Sequence, residues 1–213
     1  MLLEEKRMPE KLLVIEPQVH SLYYDGDLKI LDKPMVTIVG SRNPTRYGKQ
    51  MTQLLVEKLI KHDIVIVSGF ARGIDYEAHR WAIDAGGETL AVLGCGLDYP
   101  YPRHKESLLS SKEKILRLTE YGNGVSPRPE HFPRRNRILS ALGDAVVVIE
   151  CERKSGTMIT AHHAIEQGKD LFCLPGDIRN IQAQGPNFLI SQGAFPIISV
   201  EDVEKEIVRR ICE

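Results

Sequence analysis

The chain has 213 residues, 42% of them hydrophobic and 27% charged, with a formal net charge of −1. That length is ample for one α/β core and short for two, and the composition is that of a soluble globular protein. A near-neutral whole excludes attraction to nucleic acid through overall charge, so any basic site has to come from local clustering.

Residues Met1 to Pro34 hold two short apolar patches, Leu12 to Ile15 and Leu22 to Tyr24, broken by Pro17 and Gly26. They predict a helical turn and a small hairpin packed on the edge, an N-terminal appendage (1–34) to a main domain over 35–213. The opening MLLEEKRMPE lacks an apolar core of signal-peptide length, and no run approaches membrane-spanning length. A cytoplasmic protein is expected on both counts.

Val36 to Val39 and Ile64 to Val67 are short β-branched runs, each ending in a turn with glycine: Gly40-Ser41-Arg42-Asn43 and Ser68-Gly69-Phe70-Ala71-Arg72-Gly73. Between them Met51, Leu54, Leu55 and Leu59 recur at helical spacing, so the unit reads as strand, helix, parallel strand. Such a crossover sets the two turns side by side at the carboxyl edge of a sheet, where open α/β folds bind ligands. Glycines admit backbone N–H groups to an anion, the following helix adds its positive end, and Arg42 and Arg72 add forked charge. The alternative is that Gly40 and Gly69 only turn the chain.

Thr89 to Leu93 predicts a third strand, ending in Gly94-Cys95-Gly96. Tyr99 and the prolines at 100 and 102 rule out a dinucleotide fingerprint there. A short helix over 104–111 and a strand over Ile115 to Thr119 follow. The Gly- and Pro-rich stretch from Tyr121 to Pro133 is long enough for a functional loop, and it runs into a helix at Arg134 to Leu142. Ala145 to Ile149 is the most hydrophobic strand and is expected to be central. Ser155-Gly156-Thr157 then opens a helix over Met158 to Gln167. A strand at Leu171 to Leu174, a short helix at Pro186 to Gln192, a last strand at Phe195 to Ile198 and a closing helix over Val200 to Ile211 complete a doubly wound, mostly parallel α/β sheet.

The sharpest local feature is the basic cluster Arg128 to Arg137, with four arginines, His131 and Phe132 against the lone Glu130. Arginine planes and an aromatic ring offered from a loop suit single-stranded nucleic acid; the alternative is a solvated charged helix start. Ser155-Gly156-Thr157 makes a plausible anion cradle at a helix start, or a plain cap. No GxxxxGK[ST] is present, so nucleotide hydrolysis by a P-loop is not expected. Asp75 and His79 share a helix face and read as a buried hydrogen-bonded pair, while adjacent His162 and His163 point too far apart to share a metal. No catalytic residue, metal or cofactor is assigned. The cysteines, Cys95, Cys151, Cys173 and Cys212, show no CxxC spacing, and three lie in or beside core strands, as expected of reduced thiols.

Taken in order, VTIVGSRNPTRYG, IVIVSGFARGIDYEAH, LAVLGCGLDYPYP, FPRRNRILSALGDAVVVIE, SGTMITA and LPGDI with GPNFLI resemble the successive motifs of the DNA-processing protein A (DprA/Smf) family. The resemblance runs from Leu22 to Ile198. It implies an extended Rossmann-like domain that binds single-stranded DNA without catalysis, forms homodimers, and helps load RecA during natural transformation. Longer members add a helical domain before this core and a winged-helix-like domain after it. By motif, Arg42 would hold DNA phosphate beside the Ser68, Gly69 and Phe70 turn, Phe132 would contact a base, and Arg134, Arg135 and Asn136 would extend the basic rim. Ser155, Gly156 and Thr157 would close the pocket. The rival is a nucleotide sensor or a phosphoribohydrolase that cleaves nucleoside monophosphates, whose PGGxGTxxE motif carries a catalytic glutamate. In this chain Thr160 stands at that position.

Overall fold

The computed structural model describes residues 1–4, 8–99 and 113–212; the helix expected over 104–111 lies outside the described residues. The strands, in chain order, are β1 (Leu2–Glu4), β2 (Ser21–Asp25), β3 (Met35–Val39), β4 (Val65–Ser68), β5 (Thr89–Val92), β6 (Ile115–Thr119), β7 (Ala145–Val148), β8 (Asp170–Cys173) and β9 (Phe195–Pro196). Among the described residues they form one sheet in the order β1-β2-β6-β5-β4-β3-β7-β8-β9. From β6 to β9 every pairing is parallel, while β1 and β2 pair antiparallel to each other and β2 antiparallel to β6. The edge hairpin expected near the N-terminus is therefore a continuation of the main sheet. Its two strands are separated by the short helix α1 (Glu10–Leu13), whose Leu12 is fully buried.

All five residues of β3 are buried, and so are all four of β4, β5 and β7, as strands covered on both faces require. Alternate side chains divide between two layers. Val36, Ile38, Ile66 and Val147 pack with Leu55 and Leu59 of α2 (Arg46–Ile60), Ala78 of α3 (Ile74–Asp84) and the final helical segment. On the opposite face Met35, Val67, Leu90 and Leu118 pack with Leu139 and Leu142 of α4 (His131–Leu142). Val146 and Val148 there meet Met158 and Ala161 of α5 (Gly156–Glu166) and Leu189 of α6 (Gln184–Ser191). Each such Val, Leu, Ile or Met side chain, fully buried, contributes roughly 1.5–3 kcal/mol.

The closing helix differs from expectation. Residues Val203–Val208 form a π-helical turn that passes into α7 (Arg209–Cys212). The last strand is also shorter than expected, because it pairs with β8 only at Phe172↔Phe195 and Cys173↔Pro196.

The strand order fixes the place of the site. The chain leaves β3 on one side to make β4, β5 and β6, then returns on the other side as β7. Their helices leave in opposite directions, so a crevice opens at the carboxyl ends of β3 and β7. The sequence reading set the β3 and β4 turns at its centre. Those turns are adjacent, with Ile74 N–H donating to Ser41 O at 3.0 Å, but α2 and α3 lie on the same face, which leaves no crevice between them.

Candidate nucleic-acid interface

An open cleft of about 690 Å³ occupies that position. Its walls are the β3 turn (Gly40 to Asn43), the β7 turn with the start of α5 (Cys151, Glu152, Lys154 to Thr157), and the Pro127–Asn136 segment that opens α4. Val39, Ala71, Asp75, Leu139, Thr160 and Gln182 complete the lining.

The β3 turn is clamped to β7. Ser41 N–H donates to Glu150 O at 2.6 Å, and a Cβ on Gly40 would stand 2.6 Å from the Ile74 side chain and 3.0 Å from the same carbonyl, so only glycine fits. Arg42 is exposed, its guanidinium 5.8 Å from the centre of the Phe132 ring; that of Arg135 lies 5.9 Å from the same ring. Phe132 rests on Gly94, where a Cβ would approach the ring to 3.1 Å. The ring thus stands beside two cations at the cleft wall, an aromatic surface on which a base can stack.

The four arginines of the basic cluster divide into two kinds. Arg137 is 1% exposed and makes a forked pair with Glu120, at 2.6 and 2.8 Å, while its Nε donates to Pro17 O at 2.9 Å. Arg135 is 4% exposed and donates to Gly69 O at 2.6 Å and to Val92 O, joining α4 to the ends of β4 and β5. Burial pushes its guanidinium down to about 10, opposed by the carboxylate of Asp75. It is still a cation at neutral pH, on the cleft floor rather than the rim. Arg134 is exposed and lies 3.8 Å from Glu120, outside the cleft lining; Arg128 is exposed and lines it.

The expected site residues sort accordingly. Gly40, Ser41, Arg42, Phe132, Arg135, Asn136, Ser155, Gly156 and Thr157 share the cleft. Thr157 Oγ1 donates to Gly40 O at 3.0 Å and Asn136 Nδ2 to Gly156 O at 3.2 Å, so three turns are tied together there. Ser68, Gly69, Phe70, Arg72 and Arg134 do not line it. Ser68 is fully buried and donates to Ile38 O at 2.6 Å, tying β4 to β3. Phe70 is buried with φ of 55°, a conformation uncommon for a bulky side chain, and meets His79 edge-on at 5.4 Å. Arg72 is exposed, and Gly73 (φ 84°) behind it packs against the Ser41–Arg42 backbone.

Sequence reasoning assigned neither Lys154 nor Asp75 to this site and named Arg128 only within the basic cluster; it also passed over Glu150, which bonds to the β3 turn without lining the cleft. Lys154 adjoins the Ser155-Gly156-Thr157 turn and Arg128 opens the basic cluster, so both had a local signal; the two acids had none. Glu150, 3% exposed, accepts from Thr45 N–H at 2.8 Å and from Thr45 Oγ1 at 2.6 Å at the start of α2. Asp75 accepts from Ala71 N–H at 3.3 Å at the start of α3. The dipole of α2, expected to serve a ligand, is therefore answered by the protein itself. At α5, Gly156 is exposed and a Cβ there would meet nothing within 4 Å, so this helix start faces the open cleft.

Cys95, Cys151 and Cys173 are buried free thiols. Burial pushes Cys151, in the cleft wall, up to about 11. Thr160, at the position of the phosphoribohydrolase glutamate, is buried in the cleft lining. Asp75 and His79 are both buried, and His79 Nδ1 is 2.6 Å from Thr89 Oγ1. Among the described residues no group of three or more His, Cys, Asp or Glu side chains could hold a metal ion.

The family model described as DNA recombination-mediator protein A matches residues 1–208. The chain belongs to that family. DNA processing protein DprA of Bacillus subtilis is 40% identical to it over 211 residues, which is 98% of this chain and 71% of the relative. The chain spans 66% of the DprA of Streptococcus pneumoniae and 53% of the protein Smf of Escherichia coli. The X-ray structure of DprA from Streptococcus pneumoniae superposes with a TM-score of 0.91 at 38% identity, covering 97% of this chain and 74% of the other. DprA from Helicobacter pylori, solved for its single-stranded DNA binding mode, gives a TM-score of 0.91 at 33% identity, covering 99% and 96%. Membership of the recombination-mediator family also agrees with the doubly wound sheet. No described helix is long and apolar enough to cross a membrane.

Proposed function

We propose that this chain binds single-stranded DNA in the β3/β7 cleft and does so without catalysing a reaction. The observation that carries this reading is the arrangement of Arg42, Arg128 and Lys154 around one groove with the Phe132 ring in its wall. Cations spaced along a groove follow a sugar-phosphate backbone, and an aromatic face accepts an unstacked base of any sequence. In this reading Arg42, Arg128 and Lys154 contact phosphates, the α5 amides at Gly156 and Thr157 receive another, and Phe132 stacks on a base. Arg135, Asn136 and Ser41 hold those groups in place, and the Ser68–Arg72 turn supports the β3 turn from behind.

The match to DprA of Helicobacter pylori, described for binding single-stranded DNA, supports the same reading. Family membership extends it to a cytoplasmic mediator of recombination that protects the strand, acts as a homodimer and passes the strand to RecA. A gel shift with single- and double-stranded oligonucleotides of equal length tests it. Tighter retention of the single strand, weakened several-fold or more by Arg42→Ala, is expected. Equal retention of both forms by the folded Arg42→Ala and parent proteins would refute it.

A further inference from the structure

The geometry points to Glu150 as the residue that restricts this cleft to the interior of a strand, excluding terminal phosphates and mononucleotides. This rests on the proposed binding of single-stranded DNA and names which part of the polymer is taken.

Two features set the argument. In a doubly wound sheet, the turn after the strand at the switch point and the helix that follows form the usual seat for a phosphate monoester, because the first-turn amides of that helix face the crevice. Here the seat would be Gly40 to Asn43 followed by α2. It is occupied from within: the Glu150 carboxylate takes both the Thr45 N–H, at 2.8 Å, and the Thr45 hydroxyl, at 2.6 Å. Thr45 Oγ1 in turn accepts from Gly48 N–H at 3.1 Å, so the amides of Thr45 and Gly48 at this helix start are taken without a ligand.

The accommodation is specific. A Cβ on Gly48 would overlap the Glu150 carboxylate, so the sequence keeps open the space that this acid fills. The acid is 3% exposed, and its backbone carbonyl is the acceptor for Ser41 N–H at 2.6 Å, so one residue anchors both the β3 turn and the start of α2.

The consequence for ligands follows from charge. A terminal phosphate carries close to two negative charges at neutral pH, an internal phosphodiester one. A carboxylate at the start of α2 repels the former more strongly, and it takes up the Thr45 amide that a dianion there would use. What the cleft still offers is Arg42, Arg128, Lys154 and the open start of α5, supplied by three separate segments of the chain rather than by one helix start. That pattern suits successive monoanionic diesters.

Competition against a fluorescent oligothymidylate, followed by anisotropy, tests the inference. The competitors are the same oligonucleotide with a 5′-hydroxyl, the same with a 5′-phosphate, and a nucleoside monophosphate. For the parent protein the two oligonucleotides should compete within about twofold of each other, and the nucleoside monophosphate should not displace the probe. In Glu150→Gln, which keeps the shape and removes the charge, the affinity for the nucleoside monophosphate relative to the oligonucleotide should rise roughly tenfold or more. A tenfold preference of the parent for the 5′-phosphate, or displacement by the mononucleotide, overturns the inference whether or not the variant folds; so does an unchanged ratio in a folded variant. Failure of the parent to bind the oligonucleotide at all would instead overturn the underlying reading.

Discussion

Replacing Arg135 by Met should cost stability far out of proportion to its place in a basic motif. The guanidinium is fully enclosed, bonded to Gly69 O at 2.6 Å and to Val92 O, and it faces the carboxylate of Asp75. Methionine fills similar volume but donates nothing. Two strand-end carbonyls lose their donor, at about 1–3 kcal/mol each, and Asp75 loses the attraction of a buried guanidinium. These losses share one side chain and overlap, so the expected total is about 3–5 kcal/mol against a typical stability of ~5–15 kcal/mol. Urea denaturation followed by circular dichroism reads it as a lower midpoint at unchanged slope. Arg42→Ala, at an exposed position, should stay within about 0.5 kcal/mol of the parent. An Arg135→Met midpoint within about 1 kcal/mol of the parent would refute the division of the arginines into supporting and ligand-facing kinds.

Gly48→Ala should destabilise by about 1–3 kcal/mol, although alanine normally favours a helix over glycine by roughly 1 kcal/mol, because the new Cβ overlaps the Glu150 carboxylate; a higher midpoint in urea would place that carboxylate elsewhere. Cys95, Cys151 and Cys173, buried and with thiol pKa values raised by burial, should resist a disulfide reagent in the native chain at mildly alkaline pH and react at once in urea. Rapid native reaction at Cys151, mapped by mass spectrometry, would contradict its enclosure.

The sheet was legible because its central strands are continuous apolar runs: β3, β4 and β7 emerge from β-branched residues bounded by glycine or polar turns. Strand order was not legible, since nothing local in Ala145 to Val148 says that it lies beside β3. That single unknown moved the cleft from the β3/β4 turns to the β3/β7 crevice. For the same reason Arg72 and Arg134 looked equivalent to Arg42 in sequence. A guanidinium that lines a groove, one exposed beside it and one buried on backbone carbonyls, as Arg135 is, have the same letter, and only packing separates them. Glu150 was invisible for a related reason: an acid at the end of a strand becomes a helix cap only when another element's first turn is brought to it.

The salt dependence of oligonucleotide binding tests the central claim most directly. Three ligand-facing cations, Arg42, Arg128 and Lys154, line the cleft, and each phosphate neutralised on a single strand contributes about −0.7 to the slope of log affinity against log salt. The parent protein should give a slope of about −2, and replacing all three by alanine in a chain that still folds should bring it close to zero. A triple variant that retains the parent's slope would show that the strand binds elsewhere.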